Sequence, residues 1–204
     1  MRFVIAVLVS NLMYACAPCG QKAALHNYKN EPDPRKTEVT LGVGDTILVN
    51  VWGPENRDLN GEVTIRADGS ITIPLIGELK AAGERPSALR KAIEAKVAKF
   101  VKLQPGIEPV TVTVKAWKSY YFTIQGEVQK QGLYTSERFV TVADAIAMSG
   151  GLTRFAKRCE LTLFRVDPQT QETREIPLDY DMLSSGKRRD MNIYVLAGDV
   201  IDVP

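Results

Sequence analysis

Four aspartates are the residues with the most obvious capacity for chemistry: Asp45, Asp68, Asp144 and Asp199. Two carboxylates facing each other across a cleft can hydrolyse a glycosidic bond. Each of these four, however, sits in a local signal that already accounts for it. Asp45 and Asp199 follow Gly44 and Gly198 at the head of an apolar run, and Asp68 precedes Gly69 between two alternating stretches. Asp144 stands three residues after Thr141, the spacing of a capping box with Asp in place of the usual Glu. The single histidine, His26, lies in a segment without periodicity. No His/Cys/Glu spacing suits zinc, and no glycine-rich loop followed by Lys-Ser or Lys-Thr could cradle phosphate. The residues argue against an enzyme and call for no metal and no cofactor.

Two further groups could recognise a partner. Trp117, Tyr120, Tyr121 and Phe122 cluster, with Trp52 apart. Aromatic faces can stack on sugars, but more often they fill a core or an interface, which is the preferred reading here. Lys187-Arg188-Arg189 follows Ser184-Ser185-Gly186 and reads as an exposed loop that could meet an anionic polymer or a lipid headgroup. The formal charge of +2 is too small to argue for nucleic acid. With 204 residues, 45% hydrophobic and 25% charged, the chain can build one large or two small globular domains.

The N-terminus reads as an address. Arg2 precedes a short apolar run, Phe3 to Leu12, too short to span a bilayer comfortably and suited to a secretory signal. It ends in Leu12-Met13-Tyr14-Ala15-Cys16, which resembles the lipobox of bacterial lipoproteins. The resemblance implies cleavage after residue 15 and lipidation of Cys16; plain signal-peptidase cleavage is the alternative. Several acyl chains on one residue make a stable anchor, since each buried CH₂ contributes about 0.8 kcal/mol. Ala17 stands where an inner-membrane retention signal would have Asp, which favours the outer membrane. Cys19 could pair with Cys159 in an oxidising periplasm. Cys159 shares one face of an expected strand with Leu161 and Leu163, so a buried free thiol is the preferred reading. Residues 16–36 read as a tether.

The elements behind these residues follow in order. Gly44-Asp45 opens a strand in which Ile47, Val49 and Val51 alternate with Leu48, Asn50 and Trp52. Val63–Arg66 and Ile71–Ile76 alternate on either side of Asp68-Gly69, a hairpin signal. Pro74 places its strand at an edge, at a bulge or near its end. Pro86 begins a helix with Leu89, Ile93, Val97 and Val101 on one face, running to about Phe100; Gln104-Pro105-Gly106 stops it. Val110 to Ala116 alternates as a further strand. This order points to a small α+β domain. Val43-Gly44-Asp45, Asp68-Gly69, Ile73-Pro74-Leu75-Ile76-Gly77 and the helix led by Ala82-Gly83 resemble, as an ordered set, the polysaccharide export sequence domain of the Wza-type outer-membrane export lipoproteins.

A second α+β unit follows. Phe122 to Val128 opens it, Thr141 caps a helix closed by Gly150-Gly151, and strands are expected at Leu161–Val166, Glu175–Leu178 and Ile193–Val203. Gly126-Glu127-Val128, Gly132 with Tyr134, Ser149-Gly150-Gly151-Leu152 and Gly198-Asp199-Val200 resemble the soluble-ligand-binding β-grasp (SLBB) domain. Gln131 departs from the proline usual before Gly132. The Gly-Asp pairs at 44–45 and 198–199 read as one turn chemistry used twice. The expected layout is a signal peptide over 1–15, a lipidated tether over 16–36, an export domain over 37–116 and an SLBB domain over 117–204.

The resemblance implies an outer-membrane, lipid-anchored protein on the periplasmic face of a Gram-negative envelope, taking part in capsule or exopolysaccharide export. It implies a homo-oligomeric ring with the polysaccharide passing through its lumen. It also implies an inner-membrane polysaccharide co-polymerase, often paired with a tyrosine kinase, as partner. The chain stops at Val203-Pro204 without the family's C-terminal amphipathic helix, so a separate outer-membrane β-barrel is expected to complete the channel. The alternative is a carbohydrate-binding or sensing lipoprotein that forms no conduit.

Overall fold

The computed structural model describes residues 21–53, 59–100, 108–167 and 170–204. The signal peptide, Cys16, Cys19, Val101 and the expected helix stop at Gln104-Pro105-Gly106 lie outside the described residues. Two cores form, each under its own sheets.

The first core is built by β1 (Thr46–Val51), β2 (Gly61–Thr64), β3 (Ser70–Ile73), β4 (Gly77–Lys80), α2 (Pro86–Val97) and β5 (Val110–Ala116). β1 lies between β2 and β5, antiparallel to both. Its alternation is clean, with Ile47, Val49 and Val51 buried and the residues between them facing outward. Pro86 starts α2, and Leu89, Ile93 and Val97 bury one face against this sheet's core. The helix ends at Val97, short of the expected Phe100, which is exposed.

The Asp68-Gly69 turn forms, but not as the expected hairpin. Gly69 takes φ +77°, the Arg66 N–H donates to the Ser70 carbonyl at 3.0 Å, and the Asp68 carboxylate accepts from the Ser70 N–H at 2.8 Å. Beyond it the two runs part company: β2 pairs with β1, and β3 pairs with β4. Ile65 explains why. Its N–H donates to the Asp45 carbonyl and its carbonyl accepts from the Gly44 N–H, both at 2.9 Å, so no backbone group is left for β3. The two-stranded hairpin instead turns at Pro74-Leu75-Ile76. Pro74 follows β3 directly, where its missing N–H breaks no ladder. Gly77 then opens β4 at φ +72°.

The second core lies under a five-stranded sheet of β6 (Tyr121–Gly126), β7 (Gly132–Thr135), β8 (Leu161–Val166), β9 (Thr173–Leu178) and β10 (Val200–Val203). The order is β7-β6-β10-β8-β9, so the last strand enters the middle, parallel to β6 and antiparallel to β8. Helix α3 (Val142–Met148) contributes Val142, Ala145 and Ile146 to this core, and α4 (Tyr180–Ser184) packs nearby. This is the mixed sheet and single crossing helix of a β-grasp. Trp117, Tyr120 and Phe122 stack among Phe139 and Tyr134 inside it, as the core reading anticipated, but Tyr121, the fourth of that cluster, points outward and is exposed. Gln131, in the family's proline position, fixes the turn by donating its side-chain amide to the Gly126 carbonyl at 2.9 Å.

The capping box at Thr141 is complete. Hydrogen bonds from the Thr141 N–H and then its hydroxyl hold the Asp144 carboxyl below the ordinary aspartate range. The charged form therefore contributes its stability in full above the unfolded-state value and loses it as pH falls through the lowered folded value. The expected result is that the stability gap between wild type and Asp144→Asn narrows from about pH 5 towards pH 2, measured by urea denaturation at each pH.

Residues 21–36, read as a tether, are docked on the second unit. They form α1 (Gln21–Leu25) and two short 3₁₀ turns, Tyr28–Asn30 and Pro34–Lys36, opened by the side chains of Asn27 and Asp33. Ala23 and Tyr28 are buried in the second core. The Tyr28 hydroxyl donates to the Pro177 carbonyl at the end of β9, and burial raises its pKa. The Glu31 side chain is buried: its carboxylate lies 3.0 Å from the Arg165 and 2.9 Å from the Arg174 guanidinium, with the His26 ring nitrogen at 3.2 Å. Arg188, expected in a free loop, instead donates to the Ala24 carbonyl at 3.2 Å and lies over the Tyr28 ring. Periodicity could not show this, because the contacts that dock the segment, to Arg165, Arg174, Pro177 and Arg188, are with residues more than a hundred positions away.

Cys159 is also a correction. It is half-buried before β8 and disulfide-bonded, not a free thiol.

Candidate functional site

The two Gly-Asp pairs build the same turn. Gly44 and Gly198 take φ +87° and +85°, which only glycine adopts without strain. In each, the aspartate side chain accepts from the N–H three residues back: Gly42 to Asp45 at 2.8 Å and Leu196 to Asp199 at 2.7 Å. Its own N–H returns to the same residue's carbonyl, at 3.3 and 3.2 Å. The turns differ in what they hold. The buried Asp45 carboxylate accepts from the Ser119 N–H and hydroxyl, both at 2.7 Å, and so ties the first unit to the segment entering β6. Asp199 takes the Arg165 guanidinium at 2.6 Å, and Arg165 also donates to the Tyr194 carbonyl. Burial pushes the Asp199 carboxyl up, against the pull of Arg165.

The other positions singled out in the sequence shape the backbone. Asp68 pairs with Arg66 at 2.6 Å. Gly126 and Gly132 flank the β6–β7 connection at positive φ, and Gly150-Gly151 close α3 at φ +83° and +91°. All four aspartates considered as carboxylate partners are thus engaged in turns or caps. Among the described residues no group of three or more His, Cys, Asp or Glu lies together to hold a metal, and no buried side-chain polar atom lacks a hydrogen bond.

A cleft of about 460 Å³ opens at the end of the β1–β5 pair. Leu48, Asn50 and Trp52 share the outward face of β1 by the two-residue period. Asn50 lies opposite Thr111, and the Trp52 N–H continues the ladder by donating to the Pro109 carbonyl at 2.7 Å. Asn60, just before β2, closes one wall, its side-chain carbonyl accepting from the Val51 N–H. Glu108 lines the other and sits 3.2 Å from Arg90 of α2. Trp52 remains 63% exposed, beside two amides, a hydroxyl and a carboxylate. An indole face flanked by such groups suits a sugar ring: the face packs on ring C–H groups while the polar atoms meet hydroxyls. In the sequence Trp52 was visible as an aromatic apart from the cluster, alternating with the apolar run of the first strand beside Leu48 and Asn50, with nothing to mark a site. Asn60, Glu108 and Thr111 carried no signal, because three separate elements bring them together.

The comparisons agree with this architecture. Residues 33–115 match the family described as polysaccharide biosynthesis/export protein, and residues 121–176 match the SLBB domain. The exopolysaccharide production protein ExoF of Rhizobium meliloti (strain 1021) is 31% identical over 128 residues. That alignment takes in 59% of this chain and 30% of the relative's length. The matched segments cover the first core and most of the second, in the order expected for the Wza-type export proteins. With both domains present and in sequence, the chain belongs to the polysaccharide export protein family.

Proposed function

We propose that the chain is a component of an exopolysaccharide export machine, anchored through Cys16 to the periplasmic face of the outer membrane. The ordered pair of an export domain and an SLBB domain carries this reading. The layout proposed is a signal peptide over 1–15, an anchor segment over 16–36, an export domain over 37–116 and an SLBB domain over 117–204. Copies assemble into a ring through which the polymer passes. β2 and β5 in one sheet, and β7 and β9 in the other, are edges available to such an interface. An inner-membrane co-polymerase delivers the polymer, and an outer-membrane barrel completes the path. Conducting pores formed in bilayers by the purified lipoprotein alone would refute the need for that barrel. The Trp52 cleft favours a second reading, a carbohydrate-binding lipoprotein without a conduit. A monomer with tight sugar binding supports it, and a ring with weak sugar contacts supports export.

The deciding experiment deletes the gene and measures surface and periplasmic polysaccharide separately. Export predicts that surface polymer is lost; unchanged surface polymer would sink it. Complementation with Trp52→Ala is expected to restore the fold, since Trp52 is exposed, while weakening oligosaccharide binding by the purified protein about threefold to tenfold, or roughly 0.5–1.5 kcal/mol. Unaltered affinity by calorimetry would remove the cleft from the sugar path.

A further inference from the structure

The export reading leaves one end of the second unit unexplained. Phe155 is 68% exposed there, with the Arg154 guanidinium 4.6 Å over its ring and Lys157 and Arg158 beside it in sequence. The backbone fixes where this loop lies. The Thr153 N–H donates to the Glu127 carbonyl just past β6, Lys157 to Pro204 just past β10, and Tyr180, just past β9, to Arg158. Residues 153–158 therefore cross the end of the sheet at which β6, β9 and β10 finish. The export domain attaches at the opposite end, where Ser119 holds Asp45 ahead of Tyr121, the first residue of β6.

The N-terminal segment enters at the Phe155 end. The Tyr28 hydroxyl reaches both the Ala23 and Pro177 carbonyls, which sets α1 against the end of β9. Pro177 lies opposite Thr162, three residues after the disulfide-bonded Cys159. α1 adds Leu25, 82% exposed, and Lys22. Gln21 lies only five positions after Cys16, a reach of at most about 18 Å. A lipid on Cys16 can thus insert close to this end, opposite the one at which the export domain attaches. Cys16 and Cys19 are the chain's only other cysteines. Lipidation consumes the Cys16 thiol, so the pairing compatible with both modifications joins Cys159 to Cys19.

We propose that the Phe155 end of the second domain rests on an anionic lipid surface. Phe155 enters the interface, and Arg154, Lys157 and Arg158 lie at headgroup level. An aromatic ring between long cationic side chains suits that boundary, because the ring prefers its apolar side and the cations reach water and phosphate. Glu160 and Asp181, 3.5 and 2.6 Å from Lys157 and Arg158, and Glu127, whose carboxylate accepts from the Thr153 hydroxyl, offset three of the four cations here, Lys22 included, and leave one positive charge in excess. The proposal rests on the reading of Cys16 as the anchor. It has the anchor do more than retain the protein: the docked strap and the disulfide set which end meets the membrane, holding the export domain away from it.

The test uses the full lipidated protein on vesicles of phosphatidylethanolamine and phosphatidylglycerol. Mass spectrometry first establishes the Cys16 lipid and the Cys19–Cys159 peptide. Amide exchange is then compared with detergent-solubilised protein. Exchange in 153–159 is expected to slow roughly tenfold on the vesicles, with β1 and β2 unchanged. Phe155→Ser should abolish the slowing while the lipid keeps the protein on the vesicle. Lipidated protein whose 153–159 exchange is the same on and off vesicles overturns the proposal, as does protection that appears only when other envelope proteins are added. An absent Cys16 lipid defeats the anchoring reading by itself. The contact would then stand or fall on whether the unlipidated chain still shows protection of 153–159 on the same vesicles.

Discussion

Replacing Asp199 by alanine is expected to destabilise the second domain by about 3–5 kcal/mol, the cost of breaking a buried ion pair from one side. The loss has two sources. Arg165 stays buried with a guanidinium that Asp199 had engaged through both Nε and Nη2, at 3.1 and 2.6 Å. The Leu196 N–H loses its acceptor, and the turn that delivers β10 to the centre of the sheet loses its closure. Glu31 and the Tyr194 carbonyl still hold Arg165, so the domain is expected to fold. Asp199→Asn should cost less, because the amide oxygen can still accept from Leu196 while the charge pairing is gone. Urea denaturation of the three proteins reads the difference directly. Equal stability for wild type and Asp199→Ala would mean that the ion pair adds nothing over its desolvation.

Gly126→Ala is the second large effect. A Cβ at Gly126 would lie 2.0 Å from the Val203 carbonyl oxygen and 2.8 Å from its carbon, both backbone atoms fixed by the β6–β10 pairing. The residue also sits at φ +86°. Left-handed strain and overpacking together give a loss of roughly 2–5 kcal/mol. Gly77 supplies the contrast: it has φ +72°, but a Cβ there meets nothing within 4 Å. Gly77→Ala should therefore cost only about 1–2 kcal/mol, from strain alone. If the two variants lose equal stability, close approach of the strands is not what demands glycine at 126.

The echo between Gly44-Asp45 and Gly198-Asp199 was legible in the sequence because such a turn is made within four residues. The glycine supplies the positive φ, and the aspartate reaches back to the third N–H before it. What each turn grips was not legible. Ser119 lies 74 residues from Asp45, and Arg165 lies 34 from Asp199. The Asp68-Gly69 stretch shows the same boundary from the other side. Its turn chemistry is local and formed as expected, but strand partners are chosen by competition, and the Gly44-Asp45 turn had already taken both backbone groups of Ile65.

By itself the sequence determined the order of elements, the α+β class, the two-domain resemblance and the backbone positions that demand glycine. All of these follow from short-range sterics and from the two- and four-residue repeats of apolar side chains. The tertiary structure alone decided that residues 21–36 are strapped to the second core, that Cys159 is bonded, and that Trp52, Asn60, Glu108 and Thr111 share a cleft. Those features depend on groups distant in the chain meeting at short range. A buried carboxylate such as Glu31 becomes tolerable only once Arg165 and Arg174 have been brought to it by folding.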